Sequence, residues 1–151
     1  MLDLTRPYDA HIDRRLRNEP IIWLASTRPD GRPHLVPLWF LWDGATVLLF
    51  SLPETQKVRN LHHNPAVTLS LEAADRGYDI VILEGRASLL DDPRLRGDMP
   101  AFVEKYAGLP RRWEPAEWAE KFSQAIRVAP TRLVAWMTRP DRLPQRRVIR
   151  F

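Results

Sequence analysis

The chain has 151 residues, of which 44% are hydrophobic and 28% are charged, and its formal net charge is +4. This length suits a single domain with a sizeable core, so we expect one domain over residues 1–151. The absence of cysteine excludes disulfides, thiol nucleophiles and iron–sulfur sites, and it fits a reducing compartment. No apolar run approaches the roughly 20 residues that span a membrane, and no signal peptide is recognisable; we therefore expect a cytoplasmic protein without membrane contact.

The basic residues are mostly arginine, since Lys57, Lys105 and Lys121 are the only lysines among 23 basic residues. The guanidinium fork suits phosphate and carboxylate groups. The arginines are nevertheless scattered and form no run longer than a pair, and we interpret most of the bias as that of a GC-rich genome. A nucleic-acid-binding barrel is a remote alternative, which would bind oligonucleotides with steep salt dependence; we expect no nucleic-acid partner.

The first third of the chain has the pattern of a short helix followed by three strands. Residues 8–18 have the apolar spacing of an amphipathic helix. Strands are predicted at residues 21–27, 33–42 and 45–52. Asp-Gly pairs separate these strands, and such pairs are typical of tight turns. This part of the sequence therefore predicts an antiparallel meander.

The middle of the chain predicts one short helix and two more strands. The helix begins at about residue 53 and ends at His63, because the residue before Pro65 avoids the helical region. Strands are predicted at residues 66–72 and 78–90.

The last third predicts two helical segments and a final strand. The segments begin at Asp92-Pro93 and Glu114-Pro115, where a carboxylate precedes a proline at the first helical position. Their apolar stripes consist of Phe102, Tyr106 and Leu109 in the first and Trp118, Phe122 and Ile126 in the second. A strand at residues 131–138 follows, and the basic tail 146–151 is predicted to be a short edge strand.

These elements predict a mainly β fold of about six strands with flanking helices. The order of elements argues against a doubly wound sheet, because helices do not alternate with strands. Antiparallel sheets of this size commonly avoid open edges by closing. We therefore expect a small β-barrel.

Two stretches could hold a ligand. Pro37 lies within a predicted strand, where proline marks an edge, a bulge or backbone that turns toward a ligand. The stretch after Ser51 ends a strand and begins a helix, and the free N–H groups of a helix start attract anions. Thr55 and Lys57 could add donors there. From the residues alone, a bend at a barrel corner and an ordinary solvated helix remain open.

Other groupings predict no site. His62 and His63 are adjacent and point apart on a helix, with no partner four residues later, so no metal site is expected. No serine is flanked by the glycines of a nucleophile elbow. His34 is a lone histidine among apolar residues, for which a hydrogen-bonded structural role is the alternative to a functional one.

Taken together, the strand pair "RPHLVPLWFLWDG", the segment "FSLPETQKVRNLHHNPAVTLSL" and the strand "PTRLVAW" resemble the pyridoxamine 5′-phosphate oxidase-like split-barrel family. Within it, the chain is most similar to small members that depend on the deazaflavin coenzyme F-420. The resemblance covers about residues 7–151. Its most specific part is the run from Thr55 to Pro65, directly after the third strand.

The resemblance implies a six-stranded antiparallel split barrel of the flavin-reductase or FMN-binding type. It also implies a homodimer with two cofactor sites at the subunit interface. The segment that holds the cofactor phosphate in the family is matched by Ser51, Thr55, Gln56 and Lys57. The strand that lies along the cofactor ring is matched by Val36, Pro37 and Leu38. Trp136 and Arg147 lie near family positions that reach the cofactor.

The activity that the resemblance implies is hydride transfer between coenzyme F-420, or FMN, and a small organic substrate. We place the substrate beside His34 and Trp39 and name no catalytic residue. The long anionic tail of the deazaflavin suits an arginine-rich groove, which favours it over FMN. The strand at residues 80–84 lacks the glutamine that FMN-type oxidases commonly direct from the partner subunit, which argues against pyridoxamine phosphate oxidase activity. A cofactor-binding or stress protein without turnover is the alternative.

Overall fold

The computed structural model describes residues 1–91, 99–107, 120–139 and 142–151. Its elements in chain order are α1 (Pro7–Asn18), β1 (Ile22–Thr27), β2 (Pro33–Leu38), β3 (Phe40–Trp42), β4 (Val47–Ser51), α2 (Gln56–His63), β5 (Ala66–Leu71), β6 (Asp79–Leu90), α3 (Met99–Lys105), β7 (Gln124–Arg139) and β8 (Arg142–Arg150). The predicted mainly β, antiparallel fold is confirmed. The described sheet has eight strands rather than the expected six.

All of these strands belong to one antiparallel sheet. Their hydrogen-bonded order is β2-β1-β5-β6-β7-β4-β3, and β8 pairs with β7 beside this path. The helices predicted at residues 8–18 and 53–63 correspond to α1 and α2. The strands predicted at 66–72 and 78–90 correspond to β5 and β6. The tail strand is longer than predicted, because β8 has nine residues.

The single strand predicted at residues 33–42 is wrong, because Trp39 divides it into β2 and β3. β2 pairs with β1 at one end of the sheet, whereas β3 pairs with β4 at the other end. Both hairpins of the predicted meander are confirmed, but its middle strand is divided between them. Two strands that are joined by one residue can be separated by no more than about 7 Å. The two ends of the sheet must meet, and the sheet curls into a barrel.

Pro37 lies in β2, whose one neighbour in the described sheet is β1. A strand with a free side can hold a proline because no ladder hydrogen bond is required there. The sequence allows three explanations for Pro37, which are an edge, a bulge and backbone that turns toward a ligand. The edge position is the one that the strand order supports.

β7 begins at Gln124, seven residues before the predicted start at residue 131. Ile126, which the sequence places on a helical stripe with Trp118 and Phe122, is instead a fully buried residue of this strand. That helix prediction is wrong for Ile126, and Trp118 lies outside the described residues. Ile126 and Val128 are both fully buried, which is the two-residue alternation of a strand with one face on the core.

β7 carries a bulge at Pro130. Gly85 of β6 pairs with Pro130, whereas Glu84 pairs with Arg132, so the register shifts by one residue. A bulge accommodates a residue without an N–H group. A Cβ atom on Gly85 would lie 2.5 Å from the carbonyl oxygen of Ala129, which excludes larger residues. The bulge separates the half of β7 that pairs with β4 from the half that pairs with β8.

The inner face of the sheet forms the core, and α1 is fixed against it by polar as well as apolar contacts. Ile12 and Leu16 of α1 are fully buried. The indole Nε1 of Trp42 donates to Asp13 at 2.8 Å, and the Arg15 guanidinium pairs with Asp79 of β6 at 3.0 Å. Buried polar groups are costly unless they are partnered, so these contacts favour one position of α1.

α3 covers the junction between β2 and β3. The Trp39 ring stacks on the Tyr106 ring, with centroids 4.5 Å apart and planes inclined by 10°. The Tyr106 hydroxyl accepts from the Phe40 amide at 2.8 Å and lies 2.9 Å from the Pro20 carbonyl, to which it can donate. The helical segment predicted after Asp92 is thus confirmed over α3, and Phe102 and Tyr106 are buried as expected.

Two other predictions in this region concern residues that the structure does not describe. Leu109 and the helix start at residue 114 lie beyond the described residues. No helix in the described ranges is long and apolar enough to cross a membrane.

Candidate functional site

The end of β4 and the start of α2 bring two of the predicted phosphate-binding residues together. The hydroxyl oxygens of Ser51 and Thr55 are 3.1 Å apart, and both hydroxyls lie within hydrogen-bond distance of the Leu52 carbonyl. Thr55 is the residue before α2, yet its side chain makes no capping hydrogen bond. The first amides of a helix have no acceptor within the helix. This end of α2 therefore offers free donors and the positive end of a helix dipole.

A chain of side-chain hydrogen bonds joins α2 to β1. Gln56 donates to Asn60 at 2.8 Å, and Asn60 donates to the Ser26 hydroxyl of β1 at 2.9 Å. Asn60 is fully buried and Ser26 is 5% exposed. Because a buried amide that lost its partner would be costly, this connection fixes α2 against the β1–β2 hairpin. The predicted site residue Gln56 thus has a positioning role in the described contacts.

Arg28 and Lys57 act electrostatically on His34 where α2 lies against that hairpin. His34 pairs with Ser26 across β1 and β2, so both side chains point to the same face of the sheet. Arg28 follows Ser26 by two residues and continues this face. Burial, followed by the charges of Arg28 and Lys57, lowers the pKa of His34, which places the three groups within electrostatic range. We call Arg28, His34 and Lys57 the basic cluster.

Among the described residues no carboxylate forms an ion pair with the basic cluster, although the charge of Arg28 contributes to lowering the pKa of Asp30. Nε of Arg28 and Nδ1 of His34 are shielded from solvent, and neither has a hydrogen-bond partner there. Burial is the one cause that lowers the pKa of Lys57, with no carboxylate raising it. The hairpin carboxylate Asp30 is bound to Arg32 at 2.7 Å. Half-buried cations without an ion-pair partner are unfavourable, so a negatively charged group bound beside Arg28 and Lys57 would stabilise the cluster.

A groove of about 580 Å³ begins at the same hairpin and crosses the outer face of β1, β5 and β6. Its volume falls in the range of sites for small molecules and cofactors. Small side chains such as Ala25, Thr27 and Thr68 line it, with Glu84 and Arg86 at β6. Because Ser26 lines the groove and pairs with His34 of the basic cluster, one extended ligand could contact the groove and the basic cluster together.

The residues matched to the cofactor ring do not share one face of β2. Val36 and Leu38 pack against the core, whereas Pro37 is exposed on the outer face. Pro37 pairs with Trp23 there. Pro37 is therefore the member of this group whose side chain a ligand on the outer face can reach.

The two substrate-side candidates are also separated. His34 belongs to the basic cluster, whereas Trp39 stacks on Tyr106 beneath α3. Five residues of extended chain separate them, which corresponds to about 16 Å.

Trp136 and Arg147 lie on neighbouring strands in different surroundings. Trp136 is 37% exposed and lies in β7 opposite Ile80 of β6. Arg147 of β8 donates two hydrogen bonds, at 2.8 and 2.9 Å, to Asp9 of α1. Asp9 is 1% exposed. In the described contacts Arg147 therefore neutralises a buried carboxylate.

Sequence reasoning missed Arg28. The available signal was the alternation of the hairpin: once Ser26 is placed on the inner face, Arg28 follows on the same face and His34 lies opposite Ser26. That inference needs the hairpin register and the position of α2, and neither was available from the sequence alone.

One protein family matches most of the chain. The family model for pyridoxamine 5′-phosphate oxidase matches residues 8–137. No curated protein matches the chain significantly.

Solved structures share the fold. An F420 reductase is 31% identical, with 80% of this chain and 94% of that chain covered and a TM-score of 0.63. A conserved hypothetical protein from Mycobacterium tuberculosis is 26% identical, with 85% and 83% covered and a TM-score of 0.72. A candidate pyridoxamine 5′-phosphate oxidase from Listeria innocua is 21% identical, with 83% and 95% covered and a TM-score of 0.65.

The contact between Arg147 and Asp9 predicts that Arg147→Gln destabilises the fold. Removing the guanidinium leaves a carboxylate buried without its charged partner, which costs roughly 2–3 kcal/mol for a pair with partial solvent contact. Urea unfolding followed by tryptophan fluorescence measures this loss. Arg146→Gln, at the exposed neighbouring position, is the matched control and is expected to leave the free energy of unfolding within about 0.5 kcal/mol. Equal stability of the two variants would contradict the assignment.

Proposed function

Because the chain belongs to the pyridoxamine 5′-phosphate oxidase family, we propose that it is an oxidoreductase that binds coenzyme F-420 or FMN. The reaction is hydride transfer between this cofactor and a small organic substrate. The observation that carries the proposal is the basic cluster at the start of α2, whose buried nitrogens lack partners among the described residues.

The residues present fit a phosphate-bearing cofactor. Arg28 and Lys57 supply two cations, and the first turn of α2 supplies free amides. The Ser51 and Thr55 hydroxyls lie at the same end of the helix and can turn from the Leu52 carbonyl toward an anion. The adjoining groove has room for a ring system on the outer face of the sheet.

When bound, a flavin or deazaflavin supplies the hydride chemistry, and the protein supplies binding and orientation. In the proposed site, Arg28 and Lys57 hold the anionic end of the cofactor. The small side chains of β1 and β5 leave space along the groove, and Pro33 lines it where β2 begins. These contacts orient the ring and limit its exposure to water. No proton transfer by a side chain is assigned.

Coenzyme F-420 is the preferred cofactor in this proposal. An F420 reductase shares 31% of its aligned residues with this chain. Arg86 lines the groove, and Arg132 and Arg150 lie opposite each other on β7 and β8. Arg132 is paired with Glu84, and Arg86 and Arg150 add positive charge to this edge, which suits the anionic tail of the deazaflavin better than the shorter FMN.

Pyridoxamine phosphate oxidase activity is not proposed. FMN-type oxidases commonly carry a glutamine in the strand segment that corresponds to residues 80–84. This chain has no glutamine there, and the segment ends at Glu84. Its carboxylate receives a hydrogen bond from Arg132 at 2.8 Å. A carboxylate that is already paired in this way offers a different contact from a neutral amide.

A homodimer is part of the proposal, and an apolar row on the outer face of the sheet supports it. Cross-strand pairing aligns one residue from each of six strands, in the order Pro37, Trp23, Ser70, Ile82, Val134 and Val148. Five of these six are apolar, and each lies on the face opposite the core. None of the six is buried in the isolated chain. An extended apolar surface of this kind is typical of a protein–protein interface.

The proposed cofactor site predicts that Arg28→Gln and Lys57→Gln each weaken cofactor binding by about ten- to hundredfold. The reason is the loss of a charge-assisted hydrogen bond, which contributes roughly 1.5–3 kcal/mol. Fluorescence titration of purified protein with F-420 and with FMN gives the dissociation constants. Arg14→Gln, at an exposed position on α1, controls for net charge and is expected to change affinity less than threefold. Unchanged affinity in both cluster variants would overturn the site.

Turnover distinguishes the proposed enzyme from a cofactor-binding protein without activity. With reduced F-420 as the hydride donor, we expect steady-state reduction of at least one acceptor, which is a quinone, a nitroaromatic compound or biliverdin. In Lys57→Gln we expect this activity to fall in proportion to the loss of cofactor affinity. The reaction is followed by the increase in absorbance of the oxidised deazaflavin. Tight cofactor binding without reduction of any of these acceptors would favour the non-catalytic alternative.

The apolar row predicts that Val134→Glu separates the dimer. A carboxylate in the centre of an apolar interface would lose its hydration without gaining a partner. Light scattering after size exclusion should give twice the chain mass of 17.6 kDa for the native protein and the single mass for the variant. Leu4→Glu, at an exposed apolar position away from the row, should remain dimeric. A native protein that is monomeric at micromolar concentration would contradict the interface.

A further inference from the structure

His34 differs from the other two members of the basic cluster because it can lose its charge near neutral pH. Arginine remains protonated at all relevant pH values, and an amine of the lysine type titrates in the alkaline range. An imidazole has an ordinary pKa of about 6.5. Its charge state in the cluster therefore depends on what lies beside it.

The charged groups near His34 come from two elements. Arg28 approaches from the β1 side of the hairpin and Lys57 from α2. Ser26, the residue opposite His34 in β1, is uncharged. Asp30, the carboxylate of the same hairpin, is engaged by Arg32. No carboxylate contributes to the electrostatics of His34 within the described residues.

The free protein therefore holds His34 in its neutral form at pH 7. Burial, Arg28 and Lys57 each lower its pKa from 6.5. The shielded Nδ1 atom has no hydrogen-bond partner in the described part of the chain. A neutral imidazole can be buried with one nitrogen unpartnered at a smaller cost than an imidazolium between two cations.

An anion in the basic cluster reverses this balance. A phosphate group that contacts Arg28 and Lys57 cancels their repulsion of a third positive charge and attracts it in their place. We propose that His34 takes up a proton when the anionic group of the cofactor binds, so that cofactor affinity rises as the pH falls. This inference rests on the proposed function, because it concerns the same site.

The direction and the pH window follow from linkage. The complex has the higher pKa for His34, so protonation favours the bound state. Affinity is independent of His34 above the pKa in the complex, increases as the pH falls through that value, and levels off below the pKa in the free protein. Between the two values the dissociation constant falls by up to about tenfold per pH unit.

Isothermal titration calorimetry of the full chain with F-420 tests the inference. The phosphodiester of F-420 does not titrate between pH 5.5 and 7.5, whereas the phosphomonoester of FMN does, since its second pKa is about 6. Titrations in PIPES and in imidazole buffers at one pH give the number of protons taken up, because these buffers differ in ionisation enthalpy. Phosphate buffer is avoided because it competes for the cluster.

For the native protein we expect an uptake of between zero and one proton per bound cofactor. We also expect tighter binding at pH 6 than at pH 7.5. His34→Gln keeps a neutral polar side chain and should bind F-420 with uptake reduced to near zero and with a flat pH profile. His62→Gln, at an exposed position near the end of α2, is the matched control and should behave as the native protein does.

The outcomes separate the inference from the proposed function. Binding by the native protein without proton uptake at any pH in this range overturns the inference and leaves the cofactor assignment standing. Equal uptake by native protein and by His34→Gln has the same consequence. If neither F-420 nor FMN binds the native protein, the proposed function and the inference both fail. If His34→Gln does not fold, the native buffer comparison can still overturn the inference, because the absence of proton uptake by the native protein requires no variant.

Discussion

The fold depends on one short covalent connection. β2 and β3 stand at opposite ends of the hydrogen-bonded strand order, yet Trp39 alone separates them. The sheet can satisfy this constraint only by curling until its ends meet. Closure therefore does not require a hydrogen-bonded seam between β2 and β3. The stacking of Trp39 on Tyr106, and the hydrogen bonds of the Tyr106 hydroxyl at Phe40, protect the backbone where the strand pairing changes.

The closed sheet also explains where the basic cluster lies. β4 and β5 are consecutive along the chain, but β7 and β6 lie between them in the sheet. The connection that contains α2 must therefore pass these two strands. It brings Asn60 against Ser26 of β1, and Lys57, one turn earlier, reaches the hairpin that carries Arg28 and His34. Barrel closure thus brings a distant segment to a local sequence motif, and the two together form the proposed anion site.

The sequence predicts those features that depend on local chemistry. Asp-Gly turns, the helix that ends at Asn64-Pro65 and the donors from Ser51 to Lys57 are readable because neighbouring residues determine them. Features that depend on pairing are not readable in this way. The division at Trp39 requires knowledge of which strands each half joins, and Arg28 enters the site through the register of the hairpin. Ile126 was misassigned because it lies at a helix-compatible spacing from Phe122, whereas its burial follows the strand alternation of β7.

The central claim is that the basic cluster holds the phosphate of a flavin-type cofactor. A crystal structure of the protein with F-420 bound tests it most directly. The account predicts that the cofactor phosphate lies within hydrogen-bond distance of Arg28 and Lys57 at the start of α2, with the ring in the groove of β1, β5 and β6. A phosphate bound elsewhere, with both side chains free of it, would contradict the account.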